Sequence, residues 1–165
     1  MSGTDTRYYA TMPSPVGELL MTASAAGLTG VYLPGEGLKP EPGWELDPGR
    51  FDECRRQLDE YFAGDRITFS VKLAAPGTAF QHEVWDKLVE IEYGATISYT
   101  ELAQRVGRPN SQRAVGGANG RNPICIIVPC HRVVGSNGSL TGYSAGIDSK
   151  RWLLEFERTA AARGS

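Results

Sequence analysis

The first part of the chain alternates short apolar runs with turn residues. Residues 8–33 contain several such runs, broken by Ser-Pro, Val-Gly and Ala-Gly steps that are typical of hairpin turns. After a loop rich in proline and glycine, residues 51–64 carry apolar side chains at helical spacing, with Cys54 on the apolar stripe. Residues 67–73 alternate like a further strand. We predict a small α/β domain of residues 1–77, built from a sheet and one helix.

The pattern becomes helical from residue 78 onwards. Thr78 is placed to cap a first helix that ends between residues 87 and 90. Thr100 and Ser111 are then candidate caps of two shorter helices, joined by a turn after Gly107. This spacing predicts that residues 78–165 form a mostly helical domain with a helix-turn-helix.

The second of these short helices has an almost bare surface. It contains Arg113 at its start and the adjacent glycines Gly116 and Gly117 in its middle. Each glycine costs a helix roughly 1 kcal/mol relative to alanine, so the pair needs a compensating reason. Close docking into a narrow DNA minor groove, with Arg113 inserted, is one reason, and tight packing inside the protein is the other.

Charge is unevenly distributed along a chain whose net charge is only −2. Residues 1–78 have a net charge of −4, and residues 79–165 have a net charge of +2. Between residues 100 and 132 the only acidic side chain is Glu101, against five arginines. Such a basic stretch can hold a phosphate backbone, although scattered surface arginines would give the same composition.

Composition and cysteine usage indicate a soluble protein of the cytoplasm. No apolar stretch approaches the ~20 residues that a membrane-spanning helix needs, and residues 1–15 lack the apolar core of a secretion signal. Three cysteines without zinc-type spacing predict neither a disulfide framework nor a structural metal.

The segment whose residues most clearly indicate catalytic chemistry is IIVPCHRVVG, residues 126–135. An apolar run, which predicts a buried strand, leads through Pro129 to Cys130 and His131. A thiolate is a strong nucleophile, and a neighbouring histidine is the usual base that produces it. The residues alone leave several interpretations open. Cys130 is a catalytic nucleophile, for which a cysteine hydrolase is one candidate class, or the protein is a binding module in which Cys130 is incidental.

The sequence PCHRVV at residues 129–134 resembles the active-site motif of the O6-alkylguanine-DNA alkyltransferases, which repair DNA by direct reversal. The resemblance extends to RAVGGANGRNP upstream and to GSLTGYSAGIDSKRWLLEFE downstream, and it is close over residues 78–158. Over the first 77 residues the resemblance is looser. The resemblance as a whole implies an α/β domain followed by a helical domain that binds DNA.

The resemblance also implies a chemical role for individual residues. Cys130 would accept the alkyl group, and His131 would deprotonate it through a water molecule. Glu157 would complete the relay, Asn122 would orient the segment that bears Cys130, and Tyr99 would contact the flipped nucleotide and donate a proton to the departing guanine. The reaction would consume the protein once, and no metal or other cofactor is implied.

The remaining implied residues contact DNA or line the guanine pocket. The expected DNA contacts are Tyr99, Ser111, Arg113, Ala114, Gly116, Gly117 and Arg132. The expected pocket residues are Val133, Gly142, Tyr143, Ser144 and Gly146. The implied partner is double-stranded DNA with O6-alkylguanine or, as a secondary lesion, O4-alkylthymine. A monomer would bind it through the minor groove, with cooperative binding left open. The alternative of a lesion-binding protein without transfer is disfavoured by the presence of Cys130.

Overall fold

The computed structural model describes residues 6–36, 38–140, 143 and 146–163. The chain separates into two compact units, with the division between Pro76 and Gly77. Within the described ranges, no helix is both long and apolar enough to cross a membrane.

The first unit is built on a four-stranded sheet. Its strands are β1 (Tyr8–Met12), β2 (Leu19–Ser24), β3 (Gly27–Tyr32) and β4 (Glu45–Leu46), in the spatial order β3-β2-β1-β4. The first three strands pair antiparallel, and β4 adds to β1 in parallel. This confirms the hairpins that the broken apolar runs predict.

Helix α1 (Asp52–Phe62) follows a short 3₁₀ turn and buries the apolar side chains that predicted it. Cys54, Leu58 and Tyr61 are each at most 3% exposed, as an apolar stripe at helical spacing requires. The strand predicted for residues 67–73 was wrong. Among the residues that the structure describes, that segment makes one bridge to the sheet, between Leu73 and Leu28.

The second unit is mostly helical and contains one very short sheet. Its helices are α2 (Ala79–Leu88), α3 (Tyr99–Val106), α4 (Gln112–Gly120) and α5 (Ile147–Arg163). Strands β5 (Ile97–Ser98) and β6 (Val133–Val134) pair in parallel. Helices α2, α3 and α4 pack on one another, and α5 packs on the turn that bears Cys130.

The helix ends show which local predictions were correct. Thr78 caps α2 through a complete capping box with Gln81, as predicted. The cap of α3 is Ser98 and not Thr100: the Ser98 hydroxyl accepts from the Glu101 amide at 3.0 Å. Ser111 stands at the cap position of α4, but its side chain makes no capping hydrogen bond. Five residues therefore separate α3 from α4, and they begin at Gly107, whose φ of 83° ends α3.

Candidate active site

The nucleophile candidate is carried by a turn and not by the end of a strand. Within the buried apolar run, residues 125–127 form a turn and Val128 a bend, which corrects the strand predicted there. Ile126 has a φ of 72°, a left-handed conformation that a β-branched residue rarely adopts. The Ile127 amide donates to the Cys125 carbonyl at 2.8 Å across this tight bend. Such a conformation costs about 1–3 kcal/mol and requires support from its surroundings.

Asn122 supplies part of that support. Its side-chain amide donates to the Val128 carbonyl at 2.8 Å, and its oxygen accepts from the Ile124 amide at 3.0 Å. Asn122 is itself buried, so these bonds are not exposed to competing water. The side chain thus ties together both ends of the segment that leads to Cys130.

Cys130, His131 and Arg132 form a single 3₁₀ turn after Pro129. All three are buried, and Cys130 is 4% exposed. His131 Nε2 lies 2.8 Å from Glu157 Oε2. A carboxylate only accepts hydrogen bonds, so Nε2 carries the hydrogen and Nδ1 presents a lone pair. Nδ1 is buried and has no hydrogen-bond partner among the described protein atoms.

Glu157 is the centre of a buried charged cluster. Arg132 donates to it through two nitrogens, Nε at 2.8 Å to Oε1 and Nη2 at 2.9 Å to Oε2. Arg132 also donates to the Ile91 carbonyl at 2.8 Å. The carboxylate of Glu157 is therefore held by His131 and Arg132, two residues of the turn that bears Cys130. Arg132 does not fit its expected DNA contact, because its guanidinium is buried and committed to Glu157.

Burial and charge set the protonation of this cluster. Burial alone would raise the pKa of Glu157, but the neighbouring His131 and Arg132 outweigh it and lower the pKa to about 2. Burial is the main cause that lowers the pKa of His131, against the opposing attraction of Glu157. Near neutral pH the site therefore holds a carboxylate and a neutral imidazole, which is the form that can accept a proton.

Two tyrosines and a lysine lie around the same site. The Lys150 ammonium is 5.9 Å from the ring centroid of Tyr99 and 6.0 Å from that of Tyr143. Lys150 is completely buried, and Tyr143 is 9% exposed. Lys150 is buried although no motif in the sequence marks it as a site residue. The spacing of Lys150 and Glu157, seven positions apart on α5, was the signal that both lie on the buried face of this helix.

Of the other expected pocket residues, two are described by the structure and two are not. Val133 is fully buried and pairs with Ile97. Gly146 has a φ of 103° and directly precedes α5. Gly142 and Ser144 lie outside the described residues.

Helix α4 presents the bare face that its sequence indicates. Arg113, Ala114 and Gly117 are exposed, whereas Val115 is buried. A Cβ atom on Gly117 would meet only the Arg121 guanidinium, at 3.8 Å. A Cβ on Gly116 would contact the Tyr99 ring at 3.5 Å, an ordinary van der Waals distance. Tight packing inside the protein therefore does not explain why a glycine occupies position 117, which faces outward.

Comparisons with known proteins match both units of the chain. Residues 79–159 match the family model described as 6-O-methylguanine DNA methyltransferase, DNA binding domain, and residues 7–75 match the ribonuclease-like domain of the same family. A methylated-DNA–protein-cysteine methyltransferase of Methanosarcina acetivorans is 49% identical over 152 residues, which cover 91% of this chain and 97% of that protein.

Solved structures agree with these matches. The crystal structure of the Mycobacterium tuberculosis O6-methylguanine methyltransferase has a TM-score of 0.86 and 46% identity, and the match covers 94% of each chain. A structure described as the OGT of the same organism in complex with DNA has the same score and identity, and the match covers 93% of this chain and 94% of that one.

A buried cysteine beside a histidine–carboxylate pair, on a fold with these neighbours, defines an alkyl-transferring protein. The chain belongs to the 6-O-methylguanine DNA methyltransferase family. This confirms the resemblance drawn from residues 129–134. It also disfavours the cysteine hydrolase and the lesion-binding protein without transfer.

Proposed function

We propose that this chain repairs duplex DNA by moving the alkyl group of O6-alkylguanine to the sulfur of Cys130, once per molecule. The observation that carries the proposal is the arrangement of His131. Its Nε2 donates to Glu157, while Nδ1 is buried, unprotonated and without a hydrogen-bond partner among the described atoms. A base of this kind next to Cys130 in the chain is what thiolate formation requires.

In the proposed reaction, His131 takes the thiol proton through a bridging water molecule, and the Glu157 carboxylate stabilises the imidazolium that forms. The sulfur bonds to the alkyl carbon while the bond from that carbon to guanine O6 breaks. The electron pair stays on the guanine, which receives a proton from Tyr99. The protein keeps a thioether, which water does not cleave under mild conditions, and so it acts once.

The target base lies inside the duplex, so it has to leave the base stack before the sulfur can reach it. We propose that the exposed face of α4 enters the minor groove and that Arg113 fills the space left by the base. The supporting observations are the exposure of Arg113, Ala114 and Gly117 and the open space beyond Gly117. Ser111 and Gly116 would border the same contact.

Val133, Tyr143 and Gly146, together with Gly142 and Ser144, are proposed to wall the guanine pocket. Val133 and Tyr143 are both buried in the unit that contains Cys130. We further propose that residues 78–165 form the DNA-binding and alkyl-acceptor domain, that the protein acts as a monomer in the cytoplasm, and that O4-alkylthymine is a secondary substrate.

The test is the intact mass of the protein after incubation with excess duplex DNA that carries one O6-methylguanine. The expected result is the addition of one methyl group per molecule, mapped to Cys130, with no further addition on longer incubation. The Cys130→Ser variant should gain no methyl group, whereas Cys125→Ser should gain one like the wild type. Multiple turnovers, or methylation at another residue, would contradict the proposal.

A further inference from the structure

Helix α4 carries an arginine at each end of its bare outer face. Arg113, Gly117 and Arg121 follow one another at intervals of four positions, so they lie along one stripe of the helix. All three are exposed. Arg113 stands in the first turn and Arg121 at the C-terminal cap position, a separation of roughly 12 Å along the helix axis. The proposed function gives a role to Arg113 and Gly117, and none to Arg121.

The glycine between the two arginines leaves space for the side chain of Arg121. Nη1 of Arg121 lies 3.8 Å from the position that a Cβ atom on Gly117 would occupy. The guanidinium therefore rests along the outer face of α4, back towards the N-terminal end of the helix. A long or branched side chain at position 117 would fill that space. The stripe thus has two positive ends and a smooth middle.

Arg113 and Arg121 differ from the neighbouring basic side chains in having no acidic partner. Residues 77–132 contain four other lysine and arginine side chains, and each of them makes an ion pair: Lys87 with Glu90, Arg105 with Glu101, Arg108 with Glu83, and Arg132 with Glu157. Among the residues that the structure describes, neither Arg113 nor Arg121 has an ion pair or a side-chain hydrogen bond. The positive charge that is not neutralised within this segment is therefore confined to the two ends of one helix face.

We propose that Arg121 binds a phosphate group of the DNA backbone while Arg113 is inside the groove, so that the two arginines hold the duplex at both ends of the smooth face. This inference rests on the proposed function and adds a further DNA contact to the same helix. The minor groove is only about 6 Å wide, so a helix that crosses it with Arg113 inside brings a residue roughly 12 Å away over the bordering backbone. A guanidinium matches phosphate oxygens with two parallel N–H groups.

Arg121 also replaces a DNA contact that the structure removes. Arg132 was expected to contact DNA, but its guanidinium is buried and donates to Glu157 and to the Ile91 carbonyl. Arg121 belongs to the same basic stretch and is exposed. The competing explanation is that Arg121 only stabilises the C-terminal end of α4, where a cation interacts favourably with the helix dipole. That role involves no DNA and predicts no change in the salt dependence of DNA binding.

The test is the affinity for an undamaged duplex, measured by fluorescence anisotropy between about 50 and 200 mM salt. Arg121→Gln removes the charge and keeps a polar side chain. The plot of log affinity against log salt should become shallower by about 0.9, the value for one phosphate contact, and the affinity near 0.1 M salt should fall roughly fivefold to tenfold. A duplex that carries O6-methylguanine should show the same loss, because a phosphate contact does not read the base.

Arg121→Lys keeps the positive charge and should keep the wild-type slope, because counterion release depends on charge. A slope that is reduced equally in both variants would overturn the proposal. Urea unfolding of Arg121→Gln tests the competing explanation. Lower stability with an unchanged slope would assign Arg121 to the helix end and overturn the phosphate contact.

The matched control is Arg158→Gln, which removes an exposed arginine of α5 that also has no ion pair among the described residues. It changes the net charge by the same amount, and its slope should equal that of the wild type. An unchanged slope in Arg121→Gln would overturn the proposal. So would an equal decrease in Arg158→Gln, because net charge alone would then explain the effect.

Single-turnover kinetics distinguish Arg121 from residues that act on the flipped base. With a saturating amount of duplex that carries O6-methylguanine, Arg121→Gln should transfer the methyl group as fast as the wild type. With limiting DNA, its rate should fall in proportion to its affinity. The reaction with free O6-benzylguanine should be unchanged. A reduced rate at saturation would overturn the assignment of Arg121 to binding alone.

These readouts separate the inference from the proposed function. Binding to undamaged DNA requires no alkyl transfer, so a shallower slope in a protein that transfers no methyl group would support the contact of Arg121 and remove the repair activity. Methyl transfer with an unchanged slope in Arg121→Gln would do the opposite.

Discussion

Cys130 differs from Cys54 in what surrounds its sulfur. Cys54 is held within the apolar face of α1, where burial raises the pKa of its thiol to about 12 despite the opposing charge of Arg55. It therefore stays a thiol and behaves as a small apolar residue. Cys130 is buried to a similar degree, but His131, Glu157 and Lys150 place charge and a base around it. Burial alone thus does not decide which cysteine reacts.

The role of Glu157 can be tested only if its buried partner is changed with it. Glu157→Gln leaves the charge of Arg132 buried without a carboxylate, which should cost about 3–5 kcal/mol of stability. In the double variant Glu157→Gln, Arg132→Met, folding should recover. Cys130 alkylation at neutral pH should remain roughly 100-fold slower, because the imidazolium is no longer stabilised.

The control for this experiment is Glu155→Gln, which changes an exposed carboxylate of the same helix. It should match the wild type in both stability and alkylation rate. A double variant that reacts as fast as the wild type would remove Glu157 from the relay.

Arg113 is expected to affect the rate of alkyl transfer only when the damaged base must leave a duplex. Arg113→Ala should slow repair of O6-methylguanine in duplex DNA by roughly tenfold or more, because nothing then fills the space in the base stack. Reaction with free O6-benzylguanine should be unchanged, since that substrate needs no base flipping. Single-turnover rates on the two substrates provide the comparison.

Arg56→Ala removes an exposed arginine of α1 and serves as the matched control. It should leave both rates unchanged. Equal losses on both substrates in Arg113→Ala would count against the insertion role.

At the scale of elements, a glycine in α4 lowers the stability of the helix and leaves its outer face smooth. Gly117 is exposed, and a side chain there would meet only the Arg121 guanidinium. Gly117→Ala should therefore raise the free energy of unfolding by about 1 kcal/mol. It should also weaken duplex binding several-fold, because the added methyl group stands between the helix and the groove. Urea unfolding and DNA titration measure the two effects.

Gly49→Ala is a suitable control, because that glycine also has open space around its Cβ position but lies in the 3₁₀ turn before α1. Its effect on DNA binding should be nil. If Gly117→Ala binds duplex DNA as tightly as the wild type, the minor-groove role of α4 would be wrong.

The turn before Cys130 shows how neighbouring elements impose a conformation that its own residues disfavour. A run of isoleucines and valines favours a strand. The hydrogen bonds of Asn122 to Ile124 and Val128 hold it instead as turns, with Ile126 in the left-handed region. This arrangement directs Cys130 and His131 into the unit, where α5 supplies Glu157. The strain is local and lies next to the reacting residue, as is common at functional sites.

For the whole molecule, the buried cluster predicts loss of stability in acid. The pKa of His131 is lowered from its ordinary value of 6.5, so below that pH the unfolded chain binds a proton that the folded one does not. The pKa of Glu157 is lowered from 4.5 to about 2, so its contribution is complete above pH 4.5 and disappears as the pH falls towards 2. Both effects have the same sign.

Thermal or urea unfolding should therefore show stability falling from pH 7 to pH 3, with a first decline just below pH 6.5. The double variant Glu157→Gln, Arg132→Met should lose the part of the decline below pH 4.5. A wild-type protein with constant stability over this range would contradict the protonation states assigned to His131 and Glu157.

Much of this protein follows from its sequence, because the patterns concerned are local. Apolar side chains three or four positions apart predicted α1 and α2, and short apolar runs broken by turn residues predicted the hairpins. The motif around Cys130 and His131 indicated the chemistry and the family. The local signals failed at Thr100, where Ser98 is the cap, and at residues 67–73, where alternation did not produce a strand.

Only the tertiary structure decided the partners of the buried charges. Arg132 follows His131 directly in a stretch rich in arginine, and nothing local distinguishes it from the arginines of a DNA-binding surface. Its pairing with Glu157 depends on how α5 packs against the Cys130 turn, 25 positions earlier in the chain. The same packing buries Lys150. Such contacts join distant segments, and their electrostatics depend on burial, which periodicity alone does not determine.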